Sequence, residues 1–170
     1  QILERLTMAN NFNSNGDGHD EWLTPKWITD TLGPFDLDPC SPGVRRPWDT
    51  ATHHLSVEDD GLSAPWFGHV WCDPPYGRET FKWLNKLADH GDGTALIFAR
   101  TETAGFFEQI WEKADAVFFF KGRLKFHYID GSSDQAANAP SCLVAYGEEA
   151  VNRLKCSGFS GKLVELKYAR

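Results

Sequence analysis

Four consecutive residues, Asp73-Pro74-Pro75-Tyr76, bring three kinds of chemistry to one place in the chain. A carboxylate accepts hydrogen bonds. Proline has a fixed φ and no N–H, so Pro74-Pro75 stiffens the loop and presents a backbone carbonyl as a second acceptor. The phenol ring offers a flat face, and stacking a nucleobase on such a face is worth about 1–3 kcal/mol. Two acceptors beside an aromatic face suit a planar exocyclic amine such as that of adenine. The lone pair of that amine is delocalised into its ring, which makes it a poor nucleophile. Acceptors that hold both N–H groups turn the lone pair toward an electrophilic methyl group. In-line displacement at a sulfonium methyl then depends mainly on positioning, with no metal and no covalent enzyme intermediate. An amine inside a duplex is out of reach, so such a base has to be extruded. The plainer reading of the four letters is a rigid turn. Their place in the chain favours the chemistry: a strand before them, a helix after, and a second acidic strand end upstream.

The elements that must position these residues alternate. Residues 68–72 read as a buried strand that Asp73-Pro74 ends. Residues 81–90 have helical spacing, with Phe81, Leu84, Leu87 and Ala88 on one face and glycines behind them. Upstream, residues 22–32 read as a short helix with Pro25 in its first turn and Thr24 as its cap. Residues 35–38 read as a strand, 40–49 as a loop and 51–57 as another strand. Downstream come a strand at 94–99 and an amphipathic helix at 104–113 with Phe107, Ile110 and Trp111 inward. Apolar strands follow at 116–120 and 140–146. This alternation predicts one α/β domain with a mostly parallel sheet. Residues 118–128 and 141–146 lack a helix between them, which predicts an antiparallel hairpin at one edge. Sheets of this kind take ligands at the carboxyl ends of their strands, where Asp38-Pro39 and Asp73-Tyr76 stand. Residues 1–20, with the Asn/Gly/Asp-rich stretch at 10–20, read as a flexible N-terminal segment, and 21–170 as the domain.

Composition bounds the function. The 170 residues are 41% hydrophobic and 24% charged, which suits one globular domain. No apolar run reaches the roughly 18–20 residues of a membrane helix. Residues 1–10 lack the basic-then-apolar order of a secretory signal, so a cytoplasmic protein is expected. Cys40, Cys72, Cys142 and Cys156 form no C-x-x-C pair and stand at no zinc-ligand spacing with a histidine. Reduced thiols and no metal site are therefore expected. A net charge of −7 speaks against a broadly basic surface, but the acidity is local: residues 1–75 carry 4 Lys+Arg against 12 Asp+Glu, and residues 76–128 carry 8 against 7. Contacts to a polyanion are expected from the later part of the chain, and should be weak and salt-sensitive.

Several motifs occur in a fixed order: Trp22-x-Thr24-Pro25, Phe35-Asp36-Leu37-Asp38-Pro39, Asp59-Asp60-Gly61-Leu62 with Pro65-Trp66, Val70-Trp71-Cys72-Asp73-Pro74-Pro75-Tyr76-Gly77, and Gly122-Arg123-Leu124-x-Phe126. Over roughly residues 20–147 the series resembles the phage and prophage DNA adenine-N6 methyltransferases, often called phage Dam-type. D-P-P-Y alone marks amino-methyltransferases broadly, whereas the ordered set is far narrower. The resemblance implies a single-domain, Rossmann-like class I methyltransferase acting with S-adenosylmethionine on double-stranded DNA in a bacterial cell. It implies that Asp73, Pro74, Pro75 and Tyr76 form the catalytic loop, Asp73 also touching the cofactor. Trp22, Thr24 and Pro25 would close over the methionine end, and Asp38, Pro39 and Cys40 would hold the amino-acid end. Asp59, Asp60 and Leu62 would read the cofactor adenine, Asp60 as acceptor and Leu62 against the ring. Only 35 positions separate Asp38 from Asp73, too few for the strands and helices of a full methyltransferase. The fold is therefore expected to be trimmed there, with Gly43 in place of a Gly-rich loop and Asp49 as a weak candidate at the ribose.

Cations complete the picture. Lys121, Arg123 and Lys125 alternate, so on an extended strand they share one face and suit phosphate contact. Arg78, just past Tyr76, and Arg100, just past the 94–99 strand, are expected as DNA contacts, Arg100 alternatively pairing with Glu102 or Asp73. The same planar amine occurs on cytosine N4, on RNA adenine and on protein glutamine, so those substrates stay open, as does a non-catalytic binding module. Pro39-Cys40 has the letters of the cytosine C5 methyltransferase nucleophile, but it follows the first acidic strand and not the base-binding loop.

Overall fold

Short apolar runs punctuated by Gly, Asp and Pro build the sheet. In the computed structural model the described residues are 23–128, 130 and 133–166; Trp22 and the 10–20 loop lie outside them. In chain order the elements are α1 (Lys26–Leu32), β1 (Leu37–Asp38), β2 (His53–His54), β3 (Val70–Cys72), α2 (Thr80–His90), β4 (Gly93–Phe98), α3 (Ala104–Phe106), β5 (Ala116–Phe120), β6 (Lys125–His127), β7 (Ser133–Ala136), β8 (Ser141–Tyr146), α4 (Glu148–Lys155) and β9 (Gly161–Glu165). Seven strands lie in the order β2-β1-β3-β4-β8-β5-β9, and β6 and β7 form a separate pair. The strands β2, β1, β3 and β4 are parallel, β8 runs against both β4 and β5, and β9 runs against β5. Most strands thus share one direction, in a Rossmann-like α/β domain.

Strand alternation sorts the core into two faces. Val70, Cys72, Ala95, Ile97, Val117 and Val144 pack with Leu84, Leu87, Phe106 and Ile110 of α2, α3 and the turn that follows. Trp71, Leu96, Ala116, Leu143 and Ala145 pack with Ile28, Leu32, Ala150 and Leu154 of α1 and α4.

The antiparallel pair exists, with Phe118 opposite Leu143, but it does not sit at the edge. β8 inserts between β4 and β5, and β9 takes the outer position. Every residue of β8 is buried, whereas β9 is only partly so. An apolar run buried on both faces suits a central strand. Neither α4 nor β9 was anticipated; α4 carries Glu148 and Glu149 in its first turn and Arg153 and Lys155 in its last, which complements the helix dipole.

Other expectations shift for local reasons. Between β1 and β3 the chain holds only β2 and two 3-10 turns, Gly43–Arg45 and Val57–Asp59, so the region is trimmed as expected. The 51–57 strand shrinks to His53–His54 because the N–H groups of Thr50 and Ala51 donate to His54 Nε2 and a capping box begins at Ser56. After α3 the helix widens into a π turn over Phe107–Trp111, which keeps Phe106 and Ile110 inward and leaves Phe107, expected inside, 51% exposed. α1 starts behind Pro25 with no side-chain cap, so Thr24 is not its cap.

Candidate active site

Because β1 and β3 are parallel neighbours, their carboxyl ends stand side by side. Asp38 closes β1, and Asp73 follows β3 directly. Each carboxylate is held by a threonine: the Thr50 hydroxyl donates to Asp38 Oδ2, and the Thr24 hydroxyl donates to Asp73 Oδ2. The Cys40 N–H adds a 3.0 Å bond to Asp38 Oδ1. Burial pushes Asp38 up to about 6, against the pull of Thr50, the Cys40 N–H and Arg46. Asp73 is partly exposed at the strand tip yet crowded by protein elsewhere. Burial pushes it up to about 7, Thr24 pulls it back and the charge on Asp38 raises it further. Two buried carboxyls at adjacent strand tips, Asp73 raised in part by the charge on Asp38, can accept a cationic ligand.

The loop after Asp73 is stitched by Thr80 at the start of α2. Its hydroxyl donates to the Pro75 carbonyl at 2.7 Å and accepts the Gly77 N–H at 3.0 Å. Pro74 is buried and Pro75 exposed. The Tyr76 ring lies on Phe98, the last residue of β4, with centroids 4.0 Å apart and planes 9° from parallel. Phe98 thus backs one face of the Tyr76 ring. The Tyr76 hydroxyl is buried without a hydrogen-bond partner among the described residues.

The Asp59-Asp60-Gly61-Leu62 segment packs directly on the first acidic motif. A Cβ on Gly61 would fall 2.4 Å from the Pro39 carbonyl oxygen, so only glycine fits there. Asp60 takes a left-handed conformation, φ 49°, and its carboxylate accepts from Ser63 at 2.9 Å. Asp59 is spent locally: it accepts the Ser56 N–H at 2.8 Å and the Ser56 hydroxyl at 3.0 Å. Leu62 is half-buried beside them. Cys40 Sγ lies 3.9 Å from Cys72 Sγ, and burial holds the Cys40 thiol well above its ordinary range. That is the neighbourhood of Asp38, and its protonated thiol is a poor nucleophile.

The cations ring this end of the sheet. Arg78 is exposed, and the Arg100 guanidinium sits 6.0 Å from the centre of the Phe98 ring. Lys121, Arg123 and Lys125 are exposed beyond the carboxyl end of β5. The alternating strand face expected of them does not form, because Gly122 takes φ 84° and only Lys125 belongs to β6. An antiparallel bridge between Leu23 and His127 ties the segment leading to Thr24 onto β6.

Thr50, Thr80 and Phe98 were not singled out by sequence. Thr80 carried a signal, a hydroxyl three residues past Gly77 at a helix start; Thr50 and Phe98 carried none. Among the described residues no group of three or more His, Cys, Asp or Glu is placed to hold a metal ion, and no helix is long and apolar enough to cross a membrane. Neither the curated proteins nor the solved structures contain a match to this chain. A family model described as DNA N-6-adenine-methyltransferase (Dam) matches residues 12–154.

Proposed function

The chain belongs to the DNA N-6-adenine-methyltransferase (Dam) family, and from that premise we propose that it transfers the methyl group of S-adenosylmethionine to the exocyclic amine of a flipped adenine in double-stranded DNA. The observation that carries this is the pair Asp38 and Asp73, both raised by burial at adjacent strand tips. A ligand bearing a sulfonium and an ammonium would add positive charge beside the pair, of which Arg46 acts only on Asp38. The buried Tyr76 hydroxyl without a partner is a further polar group that a ligand can satisfy.

Asp38, with Pro39 and Cys40, holds the amino-acid end of S-adenosylmethionine. Thr24 and Pro25, with Trp22 outside the described residues, close over its methionine end. Asp60 and Leu62 take its adenine, and Asp59 keeps that turn in shape through Ser56. Bound there, the cofactor supplies an electrophilic methyl group.

Asp73 accepts one N–H of the target amine and the Pro74 carbonyl accepts the other, which aims the nitrogen lone pair. Tyr76 stacks the base on the ring face opposite Phe98. Asp73 works as an acceptor more than as a proton sink: it would hold the N–H while the nitrogen takes the methyl group and the sulfonium leaves as a neutral thioether, and the proton then released would pass to solvent. Arg78, Arg100, Lys121, Arg123 and Lys125 take DNA phosphates, a contact that weakens with salt.

The test is nucleoside analysis after incubation with labelled S-adenosylmethionine and separate pools of DNA, RNA and protein. N6-methyladenine in the DNA pool is the expected product. Label on cytosine N4, or in RNA or protein alone, contradicts the substrate. Cofactor binding without transfer to DNA of varied sequence would mark a non-catalytic module.

A further inference from the structure

Behind the Asp60 turn, one lysine is used in an uncommon way. The Lys86 ammonium, from the middle of α2, donates to the carbonyls of Gly61 at 3.2 Å, Leu62 at 2.7 Å and also Ala64. The same ammonium lies 5.2 Å from the centre of the Trp66 ring. The Trp66 indole N–H donates to the Gly61 carbonyl at 2.8 Å. Trp83, three residues before Lys86, stacks on Trp66 with centroids 6.2 Å apart. Trp83 also presses on Gly61, where a Cβ would fall 2.8 Å from its ring. An exposed helix lysine ordinarily pairs with an acid one turn away. Lys86 instead gathers three backbone carbonyls from a segment more than twenty residues upstream. Loss of solvent lowers its pKa, with the Asp60 charge opposing.

The turn it clamps carries Asp60 and Leu62 on one side and touches the Pro39 carbonyl on the other. Lys86 therefore holds the backbone of the Asp60 turn, and through Gly61 that turn packs against the Pro39 segment. Backbone that must be ordered during binding weakens affinity by about tenfold for each residue. A turn held in advance avoids that loss.

We propose that Lys86 is a positioning residue for cofactor binding, fixing residues 60–64 so that Asp60 and Leu62 meet the adenine of S-adenosylmethionine already in place. The inference rests on the assignment of that turn to the cofactor adenine. It sets a division of labour: Lys86 acts through cofactor affinity alone, whereas Asp73, which also faces the cofactor, and Tyr76 act on the target base.

Lys86→Met keeps the apolar stem and removes the donors. Lys86→Arg keeps the charge, but a planar guanidinium does not converge on three carbonyls as an ammonium does. With the full chain, S-adenosylmethionine affinity by calorimetry, steady-state constants and melting temperature are measured together. Lys86→Met is expected to raise Kd and KM for S-adenosylmethionine by about tenfold or more, the size of a lost charged hydrogen bond. At saturating cofactor, kcat and the KM for DNA should stay within about twofold, since nothing at the base pocket changes. Lys86→Arg should recover only part of the loss. Should Lys86→Met fail to fold, Trp66→Phe, which removes the indole N–H to Gly61 and shrinks the ring that the Lys86 ammonium and Trp83 lie against, should raise the same Kd by about threefold or more. A folded Lys86→Met with unchanged cofactor affinity, or with kcat falling as much as affinity, overturns the inference. Wild-type protein that binds no S-adenosylmethionine overturns the proposed function along with it, whereas wild type and Lys86→Met binding equally well overturn the role of Lys86 alone.

Discussion

The Thr24 hydroxyl donates a hydrogen bond to Asp73 Oδ2 across 49 positions of sequence. It opposes the burial that drives the Asp73 carboxyl up to about 7. Removing it should push the carboxyl higher still and leave more of it protonated, hence a poorer acceptor, at neutral pH. Thr24→Val should lower kcat/KM at pH 7 by about tenfold, the cost of one hydrogen bond to a charged group. Its pH–rate profile should move to higher pH, and Thr24→Ser should restore both. Initial rates between pH 6 and 9 decide this; a Thr24→Val profile that falls in height without moving would leave Thr24 a packing residue.

At Asp73 the two simplest substitutions should separate. Asparagine keeps an oxygen acceptor in nearly the same place, whereas alanine keeps none. Asp73→Asn should retain measurable transfer and Asp73→Ala should lose nearly all of it. Single-turnover rates at saturating cofactor provide the comparison. Equal inactivity with cofactor binding intact would favour a proton-abstracting role.

The two raised carboxyls also set opposite pH trends for folding and for binding. Asp38 at about 6 and Asp73 at about 7 hold protons in the folded chain that the unfolded chain has released above the ordinary 3.8. The unfolded state binds fewer protons through this window, so the ligand-free fold should lose stability as pH rises from about 4 to about 7 and level off above. With the cofactor held as proposed, binding favours the ionised pair, so affinity for S-adenosylmethionine should rise through pH 6–7 and then plateau. Melting temperatures and calorimetry from pH 5 to 8 test both trends. Asp73→Asn should remove the upper step from each.

Much of this site was legible where the chemistry-bearing residues adjoin one another. Asp73 to Tyr76, between an apolar run and a helical one, located the strand tip, and Asp38-Pro39 located its neighbour. What escaped depends on strand register. Thr50 reaches Asp38 only because β2 pairs with β1, and Phe98 reaches Tyr76 only because β4 pairs with β3. Alternation of elements reveals their types and leaves their lateral order open, so β8 was assigned to an edge. The all-apolar CLVAY run within it was the available hint. The basic segment failed for a local reason: Gly122, with its positive φ, stops the strand that would have aligned Lys121 with Arg123. Thr24 was read as a helix cap because Thr-Pro ahead of a helix is the usual cap pattern, and its bond to Asp73 is purely tertiary.

The Tyr76 ring lies on Phe98, and its proposed role in base capture should be separable from cofactor binding. Tyr76→Ala should weaken binding of DNA with a flipped base by about 1–3 kcal/mol, the worth of one base–aromatic stack, with little change in cofactor affinity. Phe98→Leu, which removes the backing ring and keeps an apolar strand residue, should move DNA binding the same way by less. Fluorescence of 2-aminopurine at the target position reports the flipped state. Loss of cofactor binding in Tyr76→Ala would reassign that ring to the cofactor.

The convergence of Asp73, the Pro74 carbonyl and Tyr76 on one amine is tested most directly by a crystal structure with DNA and a non-reactive S-adenosylmethionine analogue. The quantity to measure is the distance from the analogue's methyl-equivalent group to N6 of the flipped adenine. The account expects about 3–3.5 Å, in line for displacement, with N6 within hydrogen-bond reach of Asp73. An analogue group opening away from the Asp73–Tyr76 tip, or an adenine held elsewhere, would contradict it.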